Sequence, residues 1–409
     1  MELDDVLNRH AMFRVAKLGG ARACLAYHDL SDTILSNIDL SHADCTGASF
    51  MRANLSGCQL GYTILFGADL RFANLRGASL VRADMRGACL RGASLIGADM
   101  TGIDMREGIL ASSDTSGNLV AIHEGVDLSV GGADLSGSNL TEAHLAGAVA
   151  AGTNFSDAIM HNCKIVRANL AGANFRGADL EGADLSLSEV RGADMRDAVL
   201  VNTSMNLTNM SEANMLGALT NQLAGRSIKE LSKPLPDLMR LHTSWVGSNG
   251  RDGQQLDISG YDLRQGVVFS HACLTMMKAT GAILYGVNFV DAQLQASDLR
   301  NTDLRHANFQ TADLRGADFK GARLNNANLQ GARLEPIALA TARLLPSDFS
   351  GVSMRYANLS AANLQSANFR GADLAGANLL GADVTSADFT GANLDGARLE
   401  PKQHLLMRR

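Results

Sequence analysis

Aromatic mass is scarce in this chain. Phe, Tyr and Trp make up 5 % of 409 residues, with one Trp. That excludes an ordinary aromatic-rich core, so small and medium aliphatic side chains must fill a narrow interior. Proline is limited to 5 residues. The 6 cysteines (Cys24, Cys45, Cys58, Cys89, Cys163 and Cys273) show no CxxC and no paired spacing, which predicts free thiols and no disulfide framework. No apolar run is long enough to span a bilayer. The N-terminal MELDDVLNRH is acidic where a secretory leader would be apolar, so a cytoplasmic location is expected. A basic excess is also missing. The net charge of −6 argues against a nucleic-acid or membrane-surface binder. Phosphate-binding, serine-elbow and HExxH motifs are absent as well.

What the chain does have is a repeat. From Leu25 to Leu110 a Leu, Met, Cys or Phe falls at every fifth residue, here called position i. Ala usually stands at i−2, and Asp, Asn or Ser at i−1. Residues 67–100 read GADLR FANLR GASLV RADMR GACLR GASLI GADM. The pattern returns from Leu135 to about Met215 and again from Phe269 to Leu399. Phe269, Phe289, Phe309, Phe349, Phe369 and Phe389 share a 20-residue spacing, with Leu329 in the gap, and Phe155 and Phe175 repeat it. A coil of that length would stack the rings of each series in a column on one inner face.

These units resemble the pentapeptide-repeat family, whose motif is A(D/N)LXX, over roughly three quarters of the chain. The resemblance implies an all-β fold, a right-handed quadrilateral parallel β-helix in which four units make one square coil. Positions i and i−2 would point inward, and i−1, i+1 and i+2 outward. The alternation agrees with a strand, whose side chains i−2 and i share a face. Stacked coils then satisfy one another's backbone and close the core.

Two breaks interrupt the repeat. Residues 111–132 keep the five-residue register at both ends and read either as a degenerate coil or as a loop thrown out from the rod. Residues 221–257 contain Pro234 and Pro236, followed by Leu235, Leu238, Met239, His242 and Trp245 at helical spacing. Residues 1–24 form a similar module, with Leu3, Val6, Leu7, His10 and Phe13 on one stripe. Both modules carry His-x-x-aromatic, and each is predicted to be a helical cap over an open strand edge. The expected organisation is therefore a cap (1–24), a β-helix (25–220), a second cap or linker (221–257), a second β-helix (258–401) and a tail (402–409). The C-terminal coil looks uncapped. Phe389, Leu394, Leu399, Leu405 and Leu406 there suggest a homodimer contact.

No catalytic, cofactor or metal residue stands out, so the chain is expected not to be an enzyme. Its histidines have no Cys or carboxylate at ligand spacing, and its many Asp residues occupy the repeat's i−1 position on a convex wall. The favoured reading is a non-catalytic protein–protein interaction scaffold. Leu345 and Pro346, in the irregular stretch 337–354, fall where side chains should face solvent and suggest a partner contact. Arg323 and Arg343 are expected to share one column with Asp303 and Asp383, so that basic and acidic rungs alternate. Some bacterial members of the resembled family imitate duplex DNA and bind DNA gyrase, which gives an alternative: a DNA mimic acting on gyrase or topoisomerase IV. A delivered effector is a further alternative.

Overall fold

The computed structural model describes residues 3–107, 132–264, 267–338 and 343–406. Two compact units, Met1–Asn221 and Gln222–Arg409, are each built on a right-handed quadrilateral parallel β-helix. A single pentapeptide explains why. Around inward Leu70, the N–H of Leu70 donates to Cys89 O (2.8 Å) and that of Phe72 to Arg91 O (3.1 Å), both on the next coil. Asn74 donates back to Ala53 O of the previous coil (2.9 Å), and Ala73 closes the corner onto Leu70 O (3.1 Å). The remaining N–H, of Arg71, donates to the Asp69 side chain (3.1 Å). Every backbone donor of the unit is thus satisfied, as burial of the chain requires. The Asp/Asn/Ser preference at i−1 is a turn-capping requirement.

Each corner also fixes a backbone conformation. The i+2 residue lies in the left-handed region, with φ of 60° at Phe72, 54° at Arg82 and 63° at Gly77. Proline, locked near φ −65°, cannot occupy that place. Pro336 and Pro401 stand at i+2 after Leu334 and Leu399, and the chain leaves the coil at both. At Pro336 it runs into a short antiparallel hairpin, described below. At Pro401 it enters a helix.

Unit 1 opens with α1 (Leu3–Arg14), which buries Val6 and His10. The His10 ring accepts the Ala23 N–H (3.0 Å), and Ala21 N–H donates to Arg9 O (3.0 Å). A Cβ at Gly20 would lie 2.4 Å from the Phe13 backbone nitrogen, so only glycine lets the chain turn back so close to the helix. Unit 2 repeats the device. After β1 (Arg226–Ser227), α2 (Leu235–Gly247) buries Leu235, Leu238 and His242. The His242 ring accepts the Leu256 N–H (3.0 Å). β1 pairs in parallel with β2 (Tyr261–Asp262).

The C-terminal coil differs from the sequence expectation of an open end. Helix α3 (Pro401–Leu406) lies there, and Gln403 is 1 % exposed. Its amide donates to Leu379 O and Ala382 O (both 2.8 Å), while Glu400 accepts the Gly381 N–H (3.1 Å). One glutamine therefore satisfies two edge carbonyls, something no helical periodicity in so short a tail could signal.

Register shifts mark the insertions. Ser94 bridges Asp134 and Asp99 bridges Asn139, a step of 40 in place of 20, so the coils flanking residues 108–131 are direct neighbours with no coil between them. Of the sequence segment 111–132, residues 111–131 lie outside the described residues. In unit 2, Asp318 bridges Asp348 across a step of 30. The excursion between them carries β3 (Ile337–Ala338) and β4 (Leu344–Leu345), paired antiparallel. Ten extra residues are half a coil, and this splits the single Phe column expected from spacing. Phe269, Phe289 and Phe309 stack on one face, with ring centroids 5.3 and 4.7 Å apart. Phe349 stacks instead on Phe319 (4.5 Å), and Phe369 and Phe389 follow it. Phe155 and Phe175 stack at 5.0 Å in unit 1.

Inward positions are filled to exclusion: Ala372 and Ala377 are 1 % and 0 % exposed, and Leu374 0 %. Ala372→Leu should overpack its coil and destabilise unit 2 by about 1–3 kcal/mol. Leu374→Ala should cost about 2–5 kcal/mol. Denaturant melts of the two variants check both; unchanged midpoints would contradict the inward assignment. Gly371→Pro, at a corner with φ 64°, should cost more than about 3 kcal/mol.

Candidate functional site

On a wall made by this repeat, most outward polar groups already have structural work. In ADLR-type units the Arg at i+1 folds back onto the Asp at i−1. The ion pairs Arg71–Asp69, Arg106–Asp104, Arg196–Asp194 and Arg300–Asp298 are all 2.6 Å, and Arg86–Asp84 and Arg315–Asp313 are 2.7 Å. Hydrogen bonds from Arg86, Arg196 and Arg300 hold the carboxyls of Asp84, Asp194 and Asp298 below the ordinary aspartate value. These carboxylates cap turns and bind their own arginines, so they do not form a bare acidic stripe. Amide ladders continue the same theme. Asn308, Asn328, Asn358 and Asn378 pass one hydrogen bond from rung to rung at 3.2 Å.

The expected charge column in unit 2 needs correction. Asp303 is followed by Arg323, then Ser353, then Asp373. Asp383 stands over Asn363 in another column, and Arg343 lies in the excursion, off the coil. The cause is again the half-coil shift, which spacing alone cannot reveal.

One rung breaks the polar rule. Residues 61–67 read GYTILFG. Tyr62 at one corner, Ile64 at the i−1 position and Phe66 at the next corner all point outward along a single rung. Tyr62 is 49 % and Phe66 50 % exposed. Among the described residues this is the one rung whose three outward positions are all large and aromatic or aliphatic. Ile64 has no side-chain oxygen, so the turn loses its cap, and among the described residues Phe66 N–H has no hydrogen-bond partner. Inward Thr63 replaces the usual Ala and donates its hydroxyl to Leu40 O (2.9 Å). Neighbouring rungs frame the stripe with polar groups. His42 stacks on Tyr62 with centroids 5.1 Å apart, and the Arg86 guanidinium sits 5.5 Å from the Phe66 ring centre. Sequence reasoning passed over this rung because its Leu65 keeps the five-residue beat. The signal was the run of large apolar residues at all three outward positions, 62, 64 and 66.

The residues singled out from sequence are placed as follows. Leu345, in β4, is half-buried, with its side chain and that of Ile337 over Gly316, where an added Cβ would be 3.0 Å from Leu345. Pro346 is exposed, and so is Leu344, at 59 %. At the C-terminus, Phe389 is buried, Leu394 and Leu399 are half-buried, and Leu405 and Leu406 belong to α3. Burial raises the thiols of Cys58 and Cys89 above the usual cysteine value and pushes Cys45 up to about 12. That disfavours a reactive thiolate at Cys89.

A family profile described as pentapeptide repeats matches residues 29–65, 63–102, 131–165, 163–200, 188–218, 265–301, 297–335, 342–371 and 367–400. No curated protein matches the chain. Among solved structures it is similar to HetL, a pentapeptide repeat protein involved in heterocyst differentiation regulation from the cyanobacterium Nostoc sp. Identity there is 21 %, covering 96 % of this chain and 96 % of that one, with a TM-score of 0.20. It is similar to a pentapeptide repeat protein of the Arabidopsis thaliana thylakoid lumen at 32 % identity, over 31 % of this chain and 73 % of that one, with a TM-score of 0.19. The plasmid-mediated fluoroquinolone resistance protein QnrB1 is similar at 14 % identity, over 88 % of this chain and 96 % of that one, with a TM-score of 0.18.

Ile64→Asn should restore the side-chain cap on the Phe66 N–H. The expected result is a coil more stable by about 0.5–1.5 kcal/mol, read as a higher melting midpoint. A lower midpoint would mean that Ile64 contributes more to the fold than a turn cap would.

Proposed function

Because the chain belongs to the pentapeptide-repeat family, we propose that it is a non-catalytic protein–protein interaction scaffold with its main contact at the Tyr62–Ile64–Phe66 rung. The observation that carries this reading is a line of three outward apolar side chains, exposed Tyr62 and Phe66 with half-buried Ile64 between them, on an otherwise polar wall and at the cost of a turn hydrogen bond. Aromatic residues beside arginine are the composition of interface hot spots. Exposed Leu344 and Pro346, with half-buried Leu345, form a secondary contact of the same kind in unit 2.

The competing DNA-mimic reading requires columns of uncompensated negative charge. The arginines that clamp Asp69, Asp84, Asp104, Asp194, Asp298 and Asp313 weigh against it. In a supercoiling assay with purified gyrase and topoisomerase IV, with and without a quinolone, no inhibition and no drug protection are expected. Inhibition at low micromolar protein would replace the scaffold reading with the mimic. In parallel, the Tyr62→Ser/Phe66→Ser variant should lose a captured partner, with a loss of about 2 kcal/mol or more in affinity and an unchanged melting midpoint. The exposed control Val268→Ser should retain it. Equal binding by both variants would contradict the assignment of the rung.

A further inference from the structure

Both units begin with the same latch. A buried histidine on the cap helix, His10 on α1 and His242 on α2, receives a first-coil backbone N–H on its Nδ1, from Ala23 and Leu256 respectively, at 3.0 Å. Each ring is 0 % exposed and stacks on the aromatic residue three positions on. The centroids are 5.8 Å apart for His10–Phe13 and 5.7 Å for His242–Trp245. We infer that these two imidazoles are acid-sensitive latches, whose protonation releases each cap helix from its first coil and bares a strand edge.

A neutral imidazole that accepts at Nδ1 carries its proton on Nε2. Nε2 of both rings is buried and makes no hydrogen bond of good geometry, although the Ser41 backbone stands against His10 and the Leu274 and Thr275 backbone against His242. A second proton on Nδ1 would set one N–H against another, and the ring would hold a buried charge with Nδ1 unpaired and only backbone groups beside it. The surroundings give little relief. His10 faces Asp39, Arg14 and His42, but Arg14 and Asp39 already pair with each other at 2.9 Å. His242 faces only the backbone of Leu274 and Thr275, and on α2 Asp237 and Arg240 pair with each other. Burial, the largest cause for both rings, pushes them below the ordinary histidine value of 6.5, and for His10 it does so against the opposing pull of Asp39. The sign follows. The unfolded or undocked ring takes up a proton near that value while the docked ring resists it. The latch's contribution is therefore complete above about pH 6.5 and is lost as pH falls toward the lower docked value. An undocked helix leaves the first coil's edge groups unpaired, and such an edge recruits other strands.

Amide hydrogen exchange of the full chain between about pH 7.5 and pH 5, corrected for intrinsic rates, reads this directly. Protection at Ala23 and Leu256 should fall by up to about 10-fold per pH unit below the undocked value, while mid-coil Leu70 and Leu314 keep theirs. His10→Asn and His242→Asn each supply an oxygen that accepts the same N–H without titrating, so protection in these variants should be independent of pH. Constant protection in the wild type, or a wild-type pH profile in the Asn variants, would overturn the inference. Should those variants not fold, ring ¹⁵N shifts of the wild type decide the matter. An Nε2–H tautomer near neutrality, titrating together with the loss of Ala23 and Leu256 protection, is expected. A proton on Nδ1 near neutrality, or titration without that loss, would overturn it.

Discussion

Everything in this chain hangs on turning a corner every five residues. The turn demands a left-handed residue at i+2 and leaves one backbone N–H at i+1 that neither neighbouring coil can reach. The first demand makes glycine common and proline intolerable at that place. The second favours a short side-chain oxygen at i−1, although Ile34, Val149, Ile159, Val199 and Ile283 do without one. Inward Ala and Leu add the packing, but the outward-facing Asp and Asn are as much a part of the fold as the core. Solvent exposure is therefore a poor guide to function on this wall. A departure from the turn chemistry is a better one, and Ile64 is such a departure.

The repeat, the square coil and the two helical modules were legible because each leaves a period or a break in a period. Position i was readable at nearly every unit, since Leu or Phe there has no competing role. The register across the excursion at 335–347 was not legible. Ten residues are two pentapeptides, so the five-residue beat survives them, and Phe349 falls into the numerical series of Phe309 while stacking on Phe319. A local rule was available after all: Pro336 at i+2 is incompatible with the corner, so the coil had to stop there. The same rule marks Pro401 and the start of α3.

The site was harder to read than the fold. Leu345 and Pro346 stood out because they violate the pattern, yet a violation within an excursion can also be local packing, as Leu345 over Gly316 illustrates. The rung 62–66 violates only the outward rule and keeps the inward one, so a search keyed to the core passes over it. Likewise, the pairing of His10 with Ala23 and of His242 with Leu256 depends on how a helix docks, which residue spacing within the helix does not encode.

The half-coil excursion in unit 2 has a consequence for how such a rod can change over time. Because all four walls are built from one interchangeable unit, an insertion of whole pentapeptides that joins the coil preserves the core while rotating every later wall about the axis. Five residues added within the coil would turn the remaining surface by a quarter and ten by a half, whereas the ten extra residues here leave the coil as a hairpin and Asp348 stands on the wall of Asp318. The excursion thus absorbs added length outside the rod and keeps every later wall in line with the one before it. A single small insertion or deletion within the coil could redistribute an entire binding face without altering one buried side chain.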